Sequence, residues 1–330
     1  MAKTKEQLLN ILDQFQLDEK VVSAEPFGNG HINDTLKVTN EKGEIKYVLQ
    51  RINHLIFTNV DMLQNNIHVV TTHIRKKLEE KGETDIDRKV LTFLPTKDGK
   101  KYYFDGDSYW RVCLFIPRSK SYEEVTPELS YEAGKAFGDF QTMLSDIPEG
   151  TLGETIPNFH NMEFRLRQFH EAVAANPAGR LEEVKDLVEE IEKRAEAMCI
   201  QERLYREGQL KKRTNHCDTK VNNMMFDADS DKVLCVIDLD TVMPGFVLSD
   251  IGDFIRTGAN TGAEDDENLD NVNVNMEIQS LYPWIYGKSQ GVLNSYRDQI
   301  ATLRWTLIDL YADRSFLNRL YQRRYLLQDP

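Results

Sequence analysis

The chain has 330 residues, of which 40% are hydrophobic and 29% charged, and its formal net charge is −13. This length is sufficient for two lobes with separate hydrophobic cores. The negative charge argues against a general nucleic-acid-binding protein, which needs a basic surface to neutralise phosphates. No apolar run approaches the roughly 20 residues of a membrane-spanning helix. The polar N-terminus shows no secretory signal, and the four cysteines form no Cys-x-x-Cys pair. We therefore expect a cytoplasmic protein without disulfides, zinc or a membrane anchor.

Short β-like runs dominate the first third of the chain, and helical periodicity dominates the remainder. Before Pro117 the pattern predicts, in chain order, a helix over 5–16, a hairpin of 35–39 and 46–52, a helix over 60–80, a second hairpin of 89–93 and 101–104, and a strand over 109–116. After Pro117 it predicts helices over 129–144 and 180–207 and a short strand over 233–237. The sequence thus indicates an α+β protein with a β-rich lobe over 1–117 and a mainly helical lobe over 118–330.

A glycine-rich turn, Gly28-Asn29-Gly30, precedes the first predicted hairpin. A dinucleotide-binding fingerprint requires a helix after the glycines, whereas here a strand follows. No Gly-x-x-x-x-Gly-Lys-Ser/Thr sequence occurs in the chain. Strand, glycine loop and strand is the arrangement with which kinases cover the phosphates of ATP. An ordinary turn is the alternative interpretation of this segment alone.

The most informative segment is His216-Cys217-Asp218, followed by Asn223. A kinase needs a carboxylate at the nucleophilic hydroxyl and, a few residues later, an amide oxygen that binds magnesium. Asp218 and Asn223 supply both at a suitable spacing. We expect His216 to be structural and to brace this loop.

A second acidic segment, Asp238-Leu239-Asp240, ends the predicted strand over 233–237. Magnesium prefers oxygen ligands and bridges phosphates, so a carboxylate in this position is a suitable ligand. If the strand continues, Asp238 and Asp240 project from the same face. The sequence therefore predicts phosphoryl transfer from ATP, with Mg²⁺ bound by Asn223 and Asp238.

These residues resemble the aminoglycoside phosphotransferase and choline kinase superfamily, whose pattern is His-Gly-Asp-x-x-x-x-Asn followed by Ile-Asp after a short strand. Cys217 stands where the family has glycine, and we expect this change to be tolerated. Within the superfamily the chain is most similar to the N-acetylhexosamine 1-kinases. The segments that carry this likeness are 28–35, 49–54, 156–160, 218–226, 237–245 and 252–256.

The resemblance implies a two-lobed protein-kinase-like fold and phosphorylation of the anomeric hydroxyl of GlcNAc or GalNAc. Asp218 is then the catalytic carboxylate, and Asn223 and Asp238 hold Mg²⁺. The Gly28, Asn29 and Gly30 backbone covers the phosphates of ATP.

Four further residues receive an acceptor-side role by extension of the same resemblance. His31, Asn33 and Asp34 follow the glycine turn, and Arg256 follows a Gly-Asp-Phe-Ile run. For Arg256 a structural ion pair is the alternative.

The sequence departs from the family in two places. The usual phosphate-binding lysine of the third strand is absent, and Arg51 is our candidate for its role, with Gln50 as the alternative because a one-residue shift changes the face. Residues 275–330 match the family poorly, so the acceptor is less well defined than the reaction.

A kinase for choline, homoserine or an aminoglycoside, and a nucleotide-binding pseudokinase, remain as alternatives. The expected partners are ATP and a small acceptor molecule.

Overall fold

The structure, a computed structural model, describes residues 3–28, 32–122 and 126–258. The helices of this part are α1 (Lys5–Leu12), α2 (Val60–Glu80), α3 (Pro127–Leu144), α4 (Met162–Ala175), α5 (Lys185–Met198), α6 (Ile200–Arg206) and α7 (Val247–Gly258). The strands are β1 (Val21–Pro26), β2 (Asp34–Asn40), β3 (Ile45–Ile52), β4 (Phe93–Leu94), β5 (Tyr103–Phe104), β6 (Tyr109–Leu114), β7 (Ser119–Lys120), β8 (Arg213–Asn215), β9 (Met224–Asp227), β10 (Val233–Val236) and β11 (Met243–Gly245). Among these residues no helix is both long and apolar enough to cross a bilayer.

The chain divides into two compact units, each made of segments that are not continuous in sequence. The first unit contains Met1–Lys120, Gly150–Ile156 and Met224–Met243. The second contains Ser121–Glu149, Pro157–Asn223 and, among the described residues, 244–258. A single boundary near residue 117 therefore omits two later segments of the first unit. One of these segments, Met224–Met243, belongs to the first unit because its strand β9 pairs with β7, where Phe226 lies opposite Lys120.

The main sheet of the first unit has the order β1-β2-β3-β6-β4, with β5 on the same edge of β6 as β4. Every pair is antiparallel. Alternate side chains pack against α1, which begins with a capping box at Thr4. The buried core of this face consists of Leu8, Ile11, Leu12, Phe15, Leu36, Val38, Tyr47, Leu49, Trp110 and Val112. Because successive strand residues alternate between faces, Thr35, Gln50 and Arg111 lie together on the opposite face.

Two predicted elements differ from the structure. β4 and β5 do not form a hairpin with each other; they pair with consecutive stretches of β6, since Phe93 lies opposite Cys113 and Tyr103 opposite Trp110. The single helix predicted over 180–207 is a 3-10 turn followed by α5 and α6, with a break at Cys199. The predicted hairpin of β2 and β3 and the predicted helix α2 are confirmed.

The second unit is built around the predicted apolar face of α3. Phe137 and Phe140 on this face are buried, and the Phe137 ring lies 5.8 Å from that of Phe254 on α7. Both α3 and α7 contact β8. The loop that follows β8 therefore lies between two buried helix faces, which fix its position.

Candidate active site

The backbone after β8 is held by one buried carboxylate, that of Asp250 in the first turn of α7. Asp250 is 1% exposed, and its oxygens accept the backbone N–H groups of His216 at 3.0 Å and Cys217 at 2.8 Å. Gln141 of α3 donates to the same carboxylate at 2.5 Å. Thr219 donates its hydroxyl to the Asp250 carbonyl oxygen at 2.6 Å. These contacts hold the loop in one backbone conformation.

His216 braces this loop, as predicted. Its side chain is fully buried and lies edge-on to Phe137 and Phe140, with ring centroids 5.6 and 5.7 Å away. Its Nδ1 accepts the backbone N–H of Asp218 at 3.3 Å. The imidazole therefore fixes the backbone at the residue that the sequence identifies as the catalytic carboxylate.

Asp218 and Asn223 lie together in the second unit. Asn223 donates its Nδ2 both to the Asp218 carbonyl oxygen at 2.8 Å and to the Asp218 carboxylate at 3.0 Å. The other carboxylate oxygen of Asp218 is 3.6 Å from Nζ of Lys220. The Asp218 side chain is 23% exposed, so it is oriented by neighbours and is still accessible to a ligand.

Cys217 occupies a backbone conformation that normally favours glycine. Its φ is +65°, which costs a residue with a side chain about 1–3 kcal/mol. Its thiol is buried, and a β-carbon placed at Gly245 would lie 3.4 Å from it. The glycine of the family pattern thus fits the backbone, and the small cysteine side chain fits the space.

We expect Cys217→Gly to unfold within about 1 kcal/mol of the wild-type free energy, because relief of the left-handed backbone offsets the lost burial of the thiol. Its kcat should stay within about twofold. The contrasting variant, Cys217→Val, adds a β-branched side chain at positive φ and should lose more than about 2 kcal/mol. Denaturant unfolding of the three proteins measures this difference, and equal stability of the glycine and valine variants would contradict the argument.

A pH dependence of stability follows from Asp250. Burial raises the pKa of this carboxyl to about 6, against the opposing effects of His216 and the two backbone N–H groups. Between about pH 4 and pH 6 the folded protein therefore retains a proton that the unfolded chain has released, so this group's contribution to stability falls as the pH rises through that window. We expect the stability of the wild type, relative to Asp250→Asn, to fall by on the order of 2 kcal/mol across it. Denaturant unfolding at several pH values measures this, and a constant or rising difference would contradict the assignment.

The acidic turn after β10 lies in the first unit and differs from the predicted extended strand. β10 ends at Val236, Asp238 has φ +55°, and Leu239–Thr241 forms a 3-10 turn. The left-handed residue rotates the two carboxylates apart: Asp238 is exposed, whereas Asp240 is 2% exposed. Asp238 and Asp240 were expected to share a face only if the strand continued, and this condition is not met.

Asp240 forms a buried ion pair with Arg111 of β6. Arg111 Nη1 lies 2.5 Å from Asp240 Oδ1, and both side chains are 3% exposed. Arg111 Nε donates to Gln50 Oε1 at 2.9 Å. Burial alone would lower the pKa of Arg111, but the charges of Asp240 and Asp238 raise it. The first unit thus contains a permanent buried cation beside the acidic turn.

The β3 register bears on the choice between Gln50 and Arg51. Gln50 lies opposite Arg111 and Thr35, on the face that carries the Asp240 ion pair. Arg51 is exposed on the other face and pairs with Asp34, with Nη2 and Oδ2 2.5 Å apart. This register favours Gln50 over Arg51 as the β3 residue on the face of the Asp240 ion pair.

The acceptor-side and phosphate-side candidates are only partly described. Asn33 donates to Asp240 Oδ2 at 2.5 Å, and its Oδ1 accepts the backbone N–H of Asn53 at 2.9 Å. Gly28 has φ +78°, consistent with a tight turn between the paired strands β1 and β2. Asn29, Gly30 and His31, and the side chain of Arg256, lie outside the described residues.

The donors suit magnesium chemically. Both hydrogen bonds of the Asn223 amide use its nitrogen, which leaves the amide oxygen as a possible ligand, and the Asp238 carboxylate is exposed. In the described ranges no group of three or more His, Cys, Asp or Glu side chains could hold a metal. Magnesium sites commonly use one or two protein carboxylates together with substrate phosphates.

Sequence reasoning missed Asp250 and Arg111. Asp250 was hidden because it lies 34 residues beyond His216, whose backbone N–H it accepts. Its signal was an acidic residue among the apolar residues Val247, Leu248, Ile251 and Phe254. Arg111 lies within the predicted strand over 109–116, to which the sequence assigns no functional residue. Its signal was a charged residue within an apolar six-residue run, where burial demands a partner.

Comparison with known proteins shows to which family the chain belongs. A family model described as the phosphotransferase enzyme family, APH, matches residues 23–276. The structure of an aminoglycoside phosphotransferase from Alicyclobacillus acidocaldarius is similar, with a TM-score of 0.58, 15% identity and coverage of 100% of this chain and 89% of the other. Spectinomycin phosphotransferase APH(9)-Ia, solved with ADP and spectinomycin, gives a TM-score of 0.54 and 16% identity, with 100% and 96% coverage. The chain therefore has a two-lobed protein-kinase-like fold and belongs to the APH phosphotransferase enzyme family.

Proposed function

We propose that this phosphotransferase moves the γ-phosphoryl group of ATP to the anomeric hydroxyl of an N-acetylhexosamine, GlcNAc or GalNAc, and so produces the sugar 1-phosphate. One observation supports the reaction most directly: the accessible Asp218 carboxylate is oriented by Asn223 on a loop whose backbone N–H groups are held by Asp250. Family membership supports phosphoryl transfer to a small molecule. The choice of sugar rests on the resemblance of the segments around residues 28–35, 218–226 and 237–256.

Asp218 would act on the acceptor hydroxyl. The hydroxyl oxygen forms a bond to the γ-phosphorus, the bond from this phosphorus to the bridging oxygen of ADP breaks, and the hydroxyl proton passes to the Asp218 carboxylate. Such transfers depend mainly on positioning and on neutralisation of charge. The hydrogen bond from Asn223 fixes one carboxylate oxygen of Asp218. The other oxygen, 3.6 Å from Nζ of Lys220, would take the acceptor's proton.

The donor nucleotide would be bound together with Mg²⁺. Asn223 Oδ1 and the Asp238 carboxylate would hold the ion, which when bound neutralises charge on the phosphates. The backbone of 28–30 would cover the phosphates, since a glycine turn between paired strands can approach a ligand closely. ADP in the spectinomycin phosphotransferase structure supports an adenine nucleotide as the donor.

The acceptor would be recognised by polar side chains that follow the glycine turn and by Arg256. Asp34 is exposed at the start of β2, where an oxygen could bind a sugar hydroxyl, and His31 is its neighbour in sequence. Asn33 is engaged internally by Asp240 and Asn53. We therefore propose His31, Asp34 and Arg256 as acceptor ligands and assign Asn33 an indirect role.

A parallel acceptor screen tests the proposal. ADP release from Mg-ATP is measured with GlcNAc, GalNAc, choline, homoserine and kanamycin at equal concentration. ADP release with GlcNAc or GalNAc, and with none of the other acceptors, is the expected result. Release with another acceptor only would retain the phosphotransferase and overturn the sugar, whereas nucleotide binding without turnover of any acceptor would favour a pseudokinase.

A further inference from the structure

The Asp240 carboxylate connects parts of the first unit that are distant in sequence. Its Oδ1 accepts Arg111 Nη1 from β6, and its Oδ2 accepts Nδ2 of Asn33, at 2.5 Å each. Asn33 immediately precedes β2 and lies shortly after the segment 28–30 that is expected to cover the phosphates. Both oxygens of Asp240 are thus used internally, which argues against Asp240 as a metal ligand.

Arg111 is in turn held in a fixed orientation. Its Nε donates to Gln50 of β3, and its guanidinium carbon lies 5.4 Å above the Phe93 ring centroid. Gln50 donates its own Nε2 to the Thr35 hydroxyl at 3.1 Å. A planar guanidinium with several fixed partners has little freedom to follow a displaced carboxylate, so this network fixes the position of Asp240.

The acidic turn is fixed at a second point as well. Asn66 of α2 donates to the carbonyl oxygens of Gly153 at 2.7 Å and Val242 at 3.0 Å. Val242 caps the 3-10 turn that begins directly after Asp238. Asp238, which is exposed, is therefore attached to a turn whose two following anchors, Asp240 and Val242, are buried and hydrogen-bonded.

The positive charge of Arg111 stabilises this turn by pairing with the buried Asp240 carboxylate. A buried carboxylate without a cation costs several kcal/mol. Arg111 is the basic side chain that contacts Asp240, and it also interacts electrostatically with Asp238. Its charge offsets the burial of the Asp240 carboxylate, while Asp238 is exposed.

We propose that Arg111 and Asp240 are positioning residues for the metal-nucleotide site: their ion pair holds the Asp238 turn and Asn33 in the arrangement that binds Mg-ATP. This positioning role differs from the phosphate contact of the missing third-strand lysine, for which the sequence suggested Arg51, because Arg111 is buried and engaged by Asp240 and Gln50. The inference rests on the proposed use of Mg-ATP and is independent of the acceptor.

The test separates positioning from simple stabilisation. Arg111→Met leaves a buried charge on Asp240 and should lower the melting temperature. The double variant Arg111→Met with Asp240→Leu removes both charges, and replacement of a buried ion pair by apolar residues is commonly neutral or stabilising. Arg111→Lys keeps the charge but loses the fork that reaches Gln50. Arg75→Met is the matched control, since Arg75 forms an ion pair with Asp87 at 2.7 Å in the same unit.

Calorimetric binding of Mg-ATP without acceptor and thermal unfolding are measured for all variants. We expect the double variant to melt near the wild-type temperature but to bind Mg-ATP at least tenfold more weakly, Arg111→Lys to lose affinity by a smaller factor, and Arg75→Met to bind normally. Wild-type affinity in either the double variant or Arg111→Met would overturn the positioning role and leave the proposed function intact. Absence of Mg-ATP binding by the wild type would instead remove the proposed function itself.

Discussion

Asp218→Asn is expected to lower kcat by about a thousandfold, because general-base residues typically contribute 10²–10⁴ in rate. The amide has the same shape as the carboxylate and can still accept the hydrogen bond from Asn223, so the loop should remain in place. Affinity for Mg-ATP should change by less than about threefold. Steady-state kinetics and calorimetry, performed on the same preparation, measure both quantities.

Asp139→Asn is the matched control for this substitution. Asp139 is an exposed carboxylate on α3 in the same unit, so its variant should retain wild-type kcat. An Asp218→Asn enzyme with more than about a tenth of the wild-type kcat would exclude Asp218 as the base. A combined loss of rate and of nucleotide binding would point to a collapsed loop.

Asp250→Asn is expected to lower kcat by about a hundredfold and the stability by about 2–4 kcal/mol. An amide offers one oxygen where two carboxylate oxygens now accept the N–H groups of His216 and Cys217 and the Gln141 amide. At least one buried donor then loses its partner, at a cost of about 1–3 kcal/mol, and two N–H groups face each other. The melting temperature should fall by about 5–10 °C.

Amide hydrogen exchange shows whether this loss occurs in the loop. Exchange at His216 and Cys217 should accelerate in Asp250→Asn well below the melting temperature, while amides in β2 and β3 of the other unit stay protected. Wild-type exchange at both loop amides would contradict the role of Asp250, even if the variant were less stable overall.

Sequence spacing identified those residues whose pattern lies within one short segment of the chain. Asp218 and Asn223 are five residues apart in one loop, and the β2–β3 hairpin is marked by alternation around a glycine turn, so neighbouring residues were enough to predict them. The apolar face of α3 was readable for the same reason. Each of these elements depends on contacts within a few residues of the chain.

What the sequence could not show depends on distant contacts or on backbone dihedral angles. The left-handed conformation of Asp238 separates it from Asp240, whereas a continuing strand would have placed both on the same face. Arg111 meets Asp240 across 129 residues of sequence, and Asp250 reaches the catalytic loop from the following helix. The pairing of β9 with β7 returns 224–243 to the first unit, so one boundary could not describe two units.

The most direct test of the account is ³¹P NMR of the product formed from Mg-ATP and N-acetylhexosamine, with Asp218→Asn as the blank. We expect the wild type to give a phosphomonoester signal that couples to H1 of the sugar, and the variant to give none in the same time. A phosphorus signal coupled to any other proton, or inorganic phosphate alone, would contradict transfer to the anomeric hydroxyl.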